Sequence, residues 1–149
     1  MEFHELDPTF SEEQMRAEID TIIGAGLGTS TSSLIFLILM LGRNKHVQDK
    51  LYAELKEIFG DSTRPVQKED LARMKYCEAV VYETLRLYPV IPVVLRHAEE
   101  ELQLKSCRVP PNTACGISAW AAGRSKRFWG PDAEEFKPER WLNEEPPAH

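Results

Sequence analysis

The sequence predicts a mainly α-helical chain with a small antiparallel β-sheet, and three observations carry that reading. From Ser11 to Tyr88, apolar residues recur at helical spacing and capping residues stand at the segment ends. After Pro89 the texture changes to short runs rich in β-branched residues. From Gly130 onward, proline and aromatic residues crowd the chain, as in an ordered irregular segment. No internal repeat or low-complexity block interrupts the order of helices, sheet and meander.

The first helix opens at Ser11, with Gln14 three residues on completing a capping box. The helical pattern continues through "GAGLGTSTSS" to about Leu41, where Gly42 is the expected stop. From Ile22 to Leu41 there is no charge, a run about long enough to cross a bilayer. Its first half is Gly, Ser and Thr, so a buried central helix of a soluble protein is the better reading. "NKHVQDKLYAELKEIFG" follows as an amphipathic helix with Val47, Leu51, Leu55 and Ile58 in one stripe and Gly60 as C-cap. "VQKEDLARM" makes a short helix, and "KYCEAVVYETLRLY" makes another that Pro89 ends. "VIPVVLRHAEE", "LQLKSCRVP" and "TACGISAWA" read as strands, the last two joined by "PPN" as a hairpin turn.

Composition narrows the function. The 149 residues, 42% hydrophobic and 28% charged, fit one soluble globular domain. A net charge of −6 argues against nucleic acid as a partner, and no basic run suits an anionic membrane surface. The acidic N-terminus "MEFHELDPTFSEEQM" lacks the pattern of a signal peptide. Cys77, Cys107 and Cys115 form no CxxC spacing, which suits a reducing compartment rather than a disulfide framework. His4, His46, His97 and His149 fall at no ligand spacing, so zinc is not expected.

Two stretches raise chemical questions. "YETLRLYP" places Glu83 and Arg86 three residues apart in an apolar helix, where they can pair. A solvated pair contributes a few tenths of a kcal/mol at most, on the order of other surface pairs. A buried pair needs further hydrogen bonds to offset its desolvation. In "GAGLGTSTSS", three glycines each cost about 1 kcal/mol in a helix. They suggest a large group approaching the backbone, a distorted helix, or a tight crossing of two helices. A nucleotide-binding glycine turn is a further alternative, with Asp49 as its acid, but it needs a strand before Gly24 and a glycine at Thr29.

Taken in order, a small-residue break ending in Thr29, an ExxR helix and "FKPERW" after a small sheet resemble the cytochrome P-450 family of haem-thiolate monooxygenases. "EIFGDSTRPVQKEDLARMKYCEAVVYETLRLYPVIPVVLR" is similar in particular to the family-4-type microsomal branch, as found in insects and other animals. The resemblance runs from about Ser11 to Leu142. It implies that residues 1–149 are a partial P-450 domain. Its parts are a long oxygen-side helix over 11–42, an amphipathic helix over 44–60, the ExxR helix over 74–88, a small sheet over 93–118 and a PERF-like meander segment over 127–142.

The resemblance also implies roles. Glu83, Arg86 and Arg140 form a buried structural triad that holds the meander to the ExxR helix, as carboxylate and guanidinium geometry allows. Arg96 in "PVVLR" pairs with a propionate of haem (heme, iron protoporphyrin). Thr29 is the catalytic alcohol that helps deliver protons to dioxygen, while Ala25 and Gly26 leave room for it beside the haem. Without the resemblance, Arg96 reads as a strand-end surface arginine and Thr29 as a hydroxyl bonded to its own helix backbone.

The sequence departs from the family pattern at several points. Gly28 stands where an acid usually precedes the threonine, and "GRSK" at residues 123–126 replaces "HRDP". The axial cysteine of the family lies beyond the PERF-like motif, and Cys77, Cys107 and Cys115 are in no ligand context, so no metal ligand is expected within this chain. The N-terminal membrane anchor is expected to be missing as well. The implied reaction is haem-dependent monooxygenation, a C–H hydroxylation of a lipophilic small molecule with electrons from an NADPH-dependent reductase. It belongs to a longer parent at the cytoplasmic face of the endoplasmic reticulum membrane. The chain alone is expected to be an incompetent fragment, prone to aggregate through its apolar helix. A non-catalytic truncated or decayed family member, and the nucleotide-binding α/β module, are the alternatives.

Overall fold

A computed structural model describes residues 11–142. The acidic segment 1–10 and the tail 143–149, with His4 and His149, lie outside the described residues. Four helices come first: α1 (Glu12–Arg43), α2 (Lys45–Phe59), α3 (Lys68–Leu71) and α4 (Lys75–Leu87). Strands β1 (Val93–Ala98), β2 (Leu102–Gln103), β3 (Arg108–Val109) and β4 (Thr113–Ser118) follow, then the short helices α5 (Ala119–Gly123) and α6 (Lys126–Trp129) and a 3₁₀ turn at Pro138–Trp141. The chain is mainly α with small antiparallel sheets, as its sequence predicts.

Helix α1 begins at a complete capping box, in which the Gln14 amide donates to Ser11 Oγ at 3.2 Å and the Ser11 amide donates to Gln14 Oε1 at 2.8 Å. It passes Gly42, and its end is set by Asn44, whose amide and side chain both donate to the Met40 carbonyl. Gly60 ends α2 at φ +59°, a conformation that costs glycine least. The core is the meeting of three helices and one meander residue: Met40, Val47, Leu51, Tyr76, Val80, Leu87 and Phe136. Phe36 of α1 also stacks on Tyr88, with ring centroids 5.0 Å apart.

Among the described residues the long apolar helix has Met40 as its one buried residue, while Ile22 and Leu27 are 69% and 68% exposed. Its final turns alone lie against α2 and α4, so composition marks a helix that can be buried without supplying its cover. Two sequence expectations about the sheet region are corrected. "PPN" does not join a hairpin. β4 pairs with β1, from Val93 opposite Ser118 to Ala98 opposite Thr113, and β2 pairs with β3 in a separate ribbon. Pro110 and Pro111 carry no N–H for a ladder, and Asn112 at φ +59° turns the chain away. Finally, the strand reading of "AWA" fails because Ser118 Oγ accepts from the Ala121 amide and starts α5.

The continuous helix through residues 12–43 also removes the nucleotide-binding reading, which needs a strand before Gly24. By length and composition α1 is apolar enough to cross a membrane.

Candidate functional site

Glu83 sits in the middle of α4 with no exposed surface, and Arg86 is 6% exposed one turn along. The buried alternative to a solvated pair is therefore the observed one. Arg86 meets the carboxylate with two nitrogens: Nε donates to Oε2 at 2.7 Å and Nη2 to Oε1 at 2.8 Å. The carboxylate then accepts three more bonds. They come from the Lys137 amide at 2.8 Å, Arg140 Nε at 3.3 Å and Trp141 Nε1 at 3.0 Å.

Arg86 is satisfied on its far side by main-chain carbonyls. Nη1 donates to Gly123 and, at 2.5 Å, to Ala133, while Nη2 donates to Glu135 at 3.0 Å. Trp129 covers the guanidinium with its ring centroid 4.9 Å away. Arg140 reaches outward to Asp132, with Nη1 to Oδ1 at 3.0 Å and Nη2 to the main-chain oxygen at 2.5 Å. The hydrogen bond from Arg140, with Lys137 beside it, holds the Asp132 carboxyl at about 2. One i,i+3 pair on a helix thus fixes residues 123, 132–137 and 140–141 in place. A carboxylate sealed from water and saturated with donors holds structure together; it is not free to abstract a proton.

The helix that carries this pair is capped from elsewhere. Met74 offers no side-chain cap, and Glu54 of α2 takes both the Tyr76 amide at 2.6 Å and the Cys77 amide at 2.9 Å. Burial raises the Cys77 thiol above its ordinary value and the Glu54 charge adds to the effect, so the sulfur stays protonated. Glu139 links the 3₁₀ turn back to the helices, accepting from Tyr76 Oη at 3.0 Å and from Lys50 Nζ at 2.6 Å.

Sequence reasoning missed Glu54, Asp132 and the indole of Trp141. A signal for the first was available: an α4 start without its own capping residue requires an acceptor from another element. For Trp141, the replacement of a phenylalanine by a ring carrying an N–H was the available signal.

The remaining candidates stand apart from this cluster. Ala25, Gly26 and Thr29 lie within one turn of exposed α1, and Thr29 Oγ1 donates to the Ala25 carbonyl at 2.8 Å. Outside the helix's own backbone, Gly24, Gly26 and Gly28 have no heavy atom within 4 Å of where a Cβ would stand, so no helix crossing fills this segment among the described residues. Arg96 is exposed in the middle of β1, opposite Cys115, and its Nη1 donates to the neighbouring Leu95 carbonyl at 2.8 Å. No hydrogen bond or ion pair joins Arg96 to the α1 residues among the described contacts.

Comparison with known proteins gives a consistent result. The family profile described as cytochrome P450 matches residues 1–148. Cytochrome P450 4V2 of Mus musculus is 39% identical over 134 residues, covering 90% of this chain and 25% of that protein. Probable cytochrome P450 4d20 of Drosophila melanogaster is 33% identical over 140 residues, covering 93% of this chain and 27% of that protein. A crystal structure of a cytochrome P450 superposes with a TM-score of 0.74 at 32% identity, over 80% of this chain and 28% of the other. The chain spans about a quarter of the length of these curated relatives.

Proposed function

Because the chain belongs to the cytochrome P450 family, we propose that it is part of a haem-dependent monooxygenase acting on a lipophilic small molecule with electrons from an NADPH-dependent reductase. The observation that carries this reading is the saturated cluster of Glu83, Arg86 and Arg140, which ties the ExxR helix to the PERW turn. Such a clasp gives a cofactor-binding core a rigid wall. The haem would supply the oxidising chemistry when bound, and the protein's part is to hold it, orient the substrate and manage protons.

This chain's residues fit one side of such a site. Among the described residues no carboxylate pairs with the Arg96 guanidinium, which suits an anionic propionate. Ala25 and Gly26 present little bulk, and Gly26 has open space around it. The Thr29 hydroxyl rests with its proton on the Ala25 carbonyl, so relaying a proton requires it to rotate away from that acceptor. With Gly28 before it, the relay partner has to be water or a residue from another segment. Cys77 is committed to α4 and held protonated, so the axial thiolate is assigned to a part of the parent protein outside these residues. Attachment to the endoplasmic reticulum membrane likewise belongs to the parent.

The test is reduced–CO difference spectroscopy on the parent protein and on the 149-residue chain. The parent is expected to give the thiolate-ligated signature and this chain none, and Arg96→Ala in the parent should weaken haem retention. A thiolate signature from this chain alone overturns the assignment of the ligand, and none from an intact, haem-loaded parent overturns the monooxygenase reading.

A further inference from the structure

Arg124, in "GRSK", makes no bond to Glu83, yet its backbone is anchored to the Glu83 cluster. The carbonyl just before it, of Gly123, accepts from Arg86 Nη1. A Cβ on Gly123 would overlap the Arg86 carbonyl oxygen, so the chain here lies directly on α4. From that fixed base the Arg124 guanidinium reaches over two rings. Its centre is 4.3 Å from the ring centroid of Trp120 and 5.5 Å from that of Tyr88. Its Nη1 is buried and meets no acceptor among the described residues, so the aromatic faces are the contacts that hold it there.

Tyr88 passes this constraint to α1. Its ring stacks on Phe36, with centroids 5.0 Å apart and planes 12° from parallel. Phe36 stands two turns beyond Thr29 and Met40 one turn further, so the three share one face of α1. Met40 is buried in the core and Phe36 rests on Tyr88, and together they set the rotation of α1 about its axis. We infer that Arg124 is a positioning residue for Thr29: it clamps Tyr88, and Tyr88 fixes the rotation of α1 through Phe36.

The same clamp reaches the strand that carries Arg96. The Trp120 amide donates to the Pro92 carbonyl at 3.2 Å, one residue before β1 begins. Arg96 and Thr29, which share no hydrogen bond, are thus both referred to one guanidinium. The planar fork is what the position uses. A lysine would keep the charge but offer no plane to lie against either ring. The consequence at Thr29 rests on the monooxygenase reading, whereas the stack itself does not.

Variants of the parent protein test it, read by hydrogen exchange and by the share of consumed oxygen released as hydrogen peroxide. Arg124→Lys should speed exchange at the α1 amides around Phe36 about threefold and leave the first turns of α4 unchanged. It should also raise the peroxide share about threefold, because a displaced Thr29 hydroxyl is a poorer proton relay. Phe36→Leu should do the same, and the double variant no more than the stronger single, since both act through Tyr88. Tyr88→Phe keeps the ring and should match wild type. Asp70→Asn loosens the Arg64 pair away from the stack and should leave the peroxide share unchanged. Wild-type exchange or a wild-type peroxide share in Arg124→Lys, additive effects in the double variant, or an equal rise from Asp70→Asn would each overturn the proposal. A wild-type parent without a haem signature removes the monooxygenase reading instead, and exchange at α1 still decides whether the stack holds the helix.

Discussion

The surroundings of Glu83 and the first two-thirds of α1 treat difficult side chains in opposite ways. Around Glu83 and Arg86, two paired charges are taken out of water, and three further donors and three carbonyls converge on the pair from the same chain. Along the first two-thirds of α1, large aliphatic side chains such as Ile22 and Leu27 are exposed among the described residues. The first region is locally complete, because sequence-distant segments of these residues supply every acceptor and donor. The second has the composition of a core helix, and the described residues supply cover for its last turns alone.

Four changes sharpen that contrast, beginning with the largest effect. Glu83→Gln leaves Arg86 as a buried cation without its counter-charge and should cost about 3–5 kcal/mol, read by urea unfolding. Retention of wild-type stability would mean the carboxylate is replaceable. Leu87→Ala opens a cavity in the core at about 2–5 kcal/mol, whereas Leu27→Ala on exposed α1 should change chain stability by less than about 0.5 kcal/mol. Comparable effects at both sites would contradict the division between the regions.

Gly123→Ala should cost about 1–3 kcal/mol, because the added Cβ overlaps the Arg86 carbonyl oxygen and the backbone must move. The mildest is acid. Asp132 beside Arg140, and Asp70 held by Arg64 at 2.6 and 2.7 Å, both titrate at about 2 in the folded chain. Their unfolded values are near about 3.9, so this stabilisation is complete above about pH 4 and is lost as pH falls toward 2. Asp132→Asn should flatten that part of the pH profile, and an unchanged profile would remove Asp132 from it.

The same contrast explains what was legible in the sequence. Glu83, Arg86 and Arg140 were readable from ExxR and PERW, and α2 from its stripe of Val47, Leu51 and Leu55, since each is a local pattern. Glu54 reaches α4 from 22 residues upstream, and Arg86 donates to carbonyls that any residue type could present. Neither leaves a side-chain pattern to read. The exposure of α1 was illegible for a different reason: apolar composition records that a helix can be buried, while its cover is a property of other segments. "PPN" misled because proline signals a turn without saying which strands the turn separates.

Hydrogen exchange on the wild-type chain and Glu83→Gln tests the central claim most directly, that one carboxylate holds the meander to α4. The predicted result is a joint loss of protection at the amides of residues 76–87 and 133–141 in the variant. Protection of residues 133–141 that survives the loss of the Glu83 charge would contradict it.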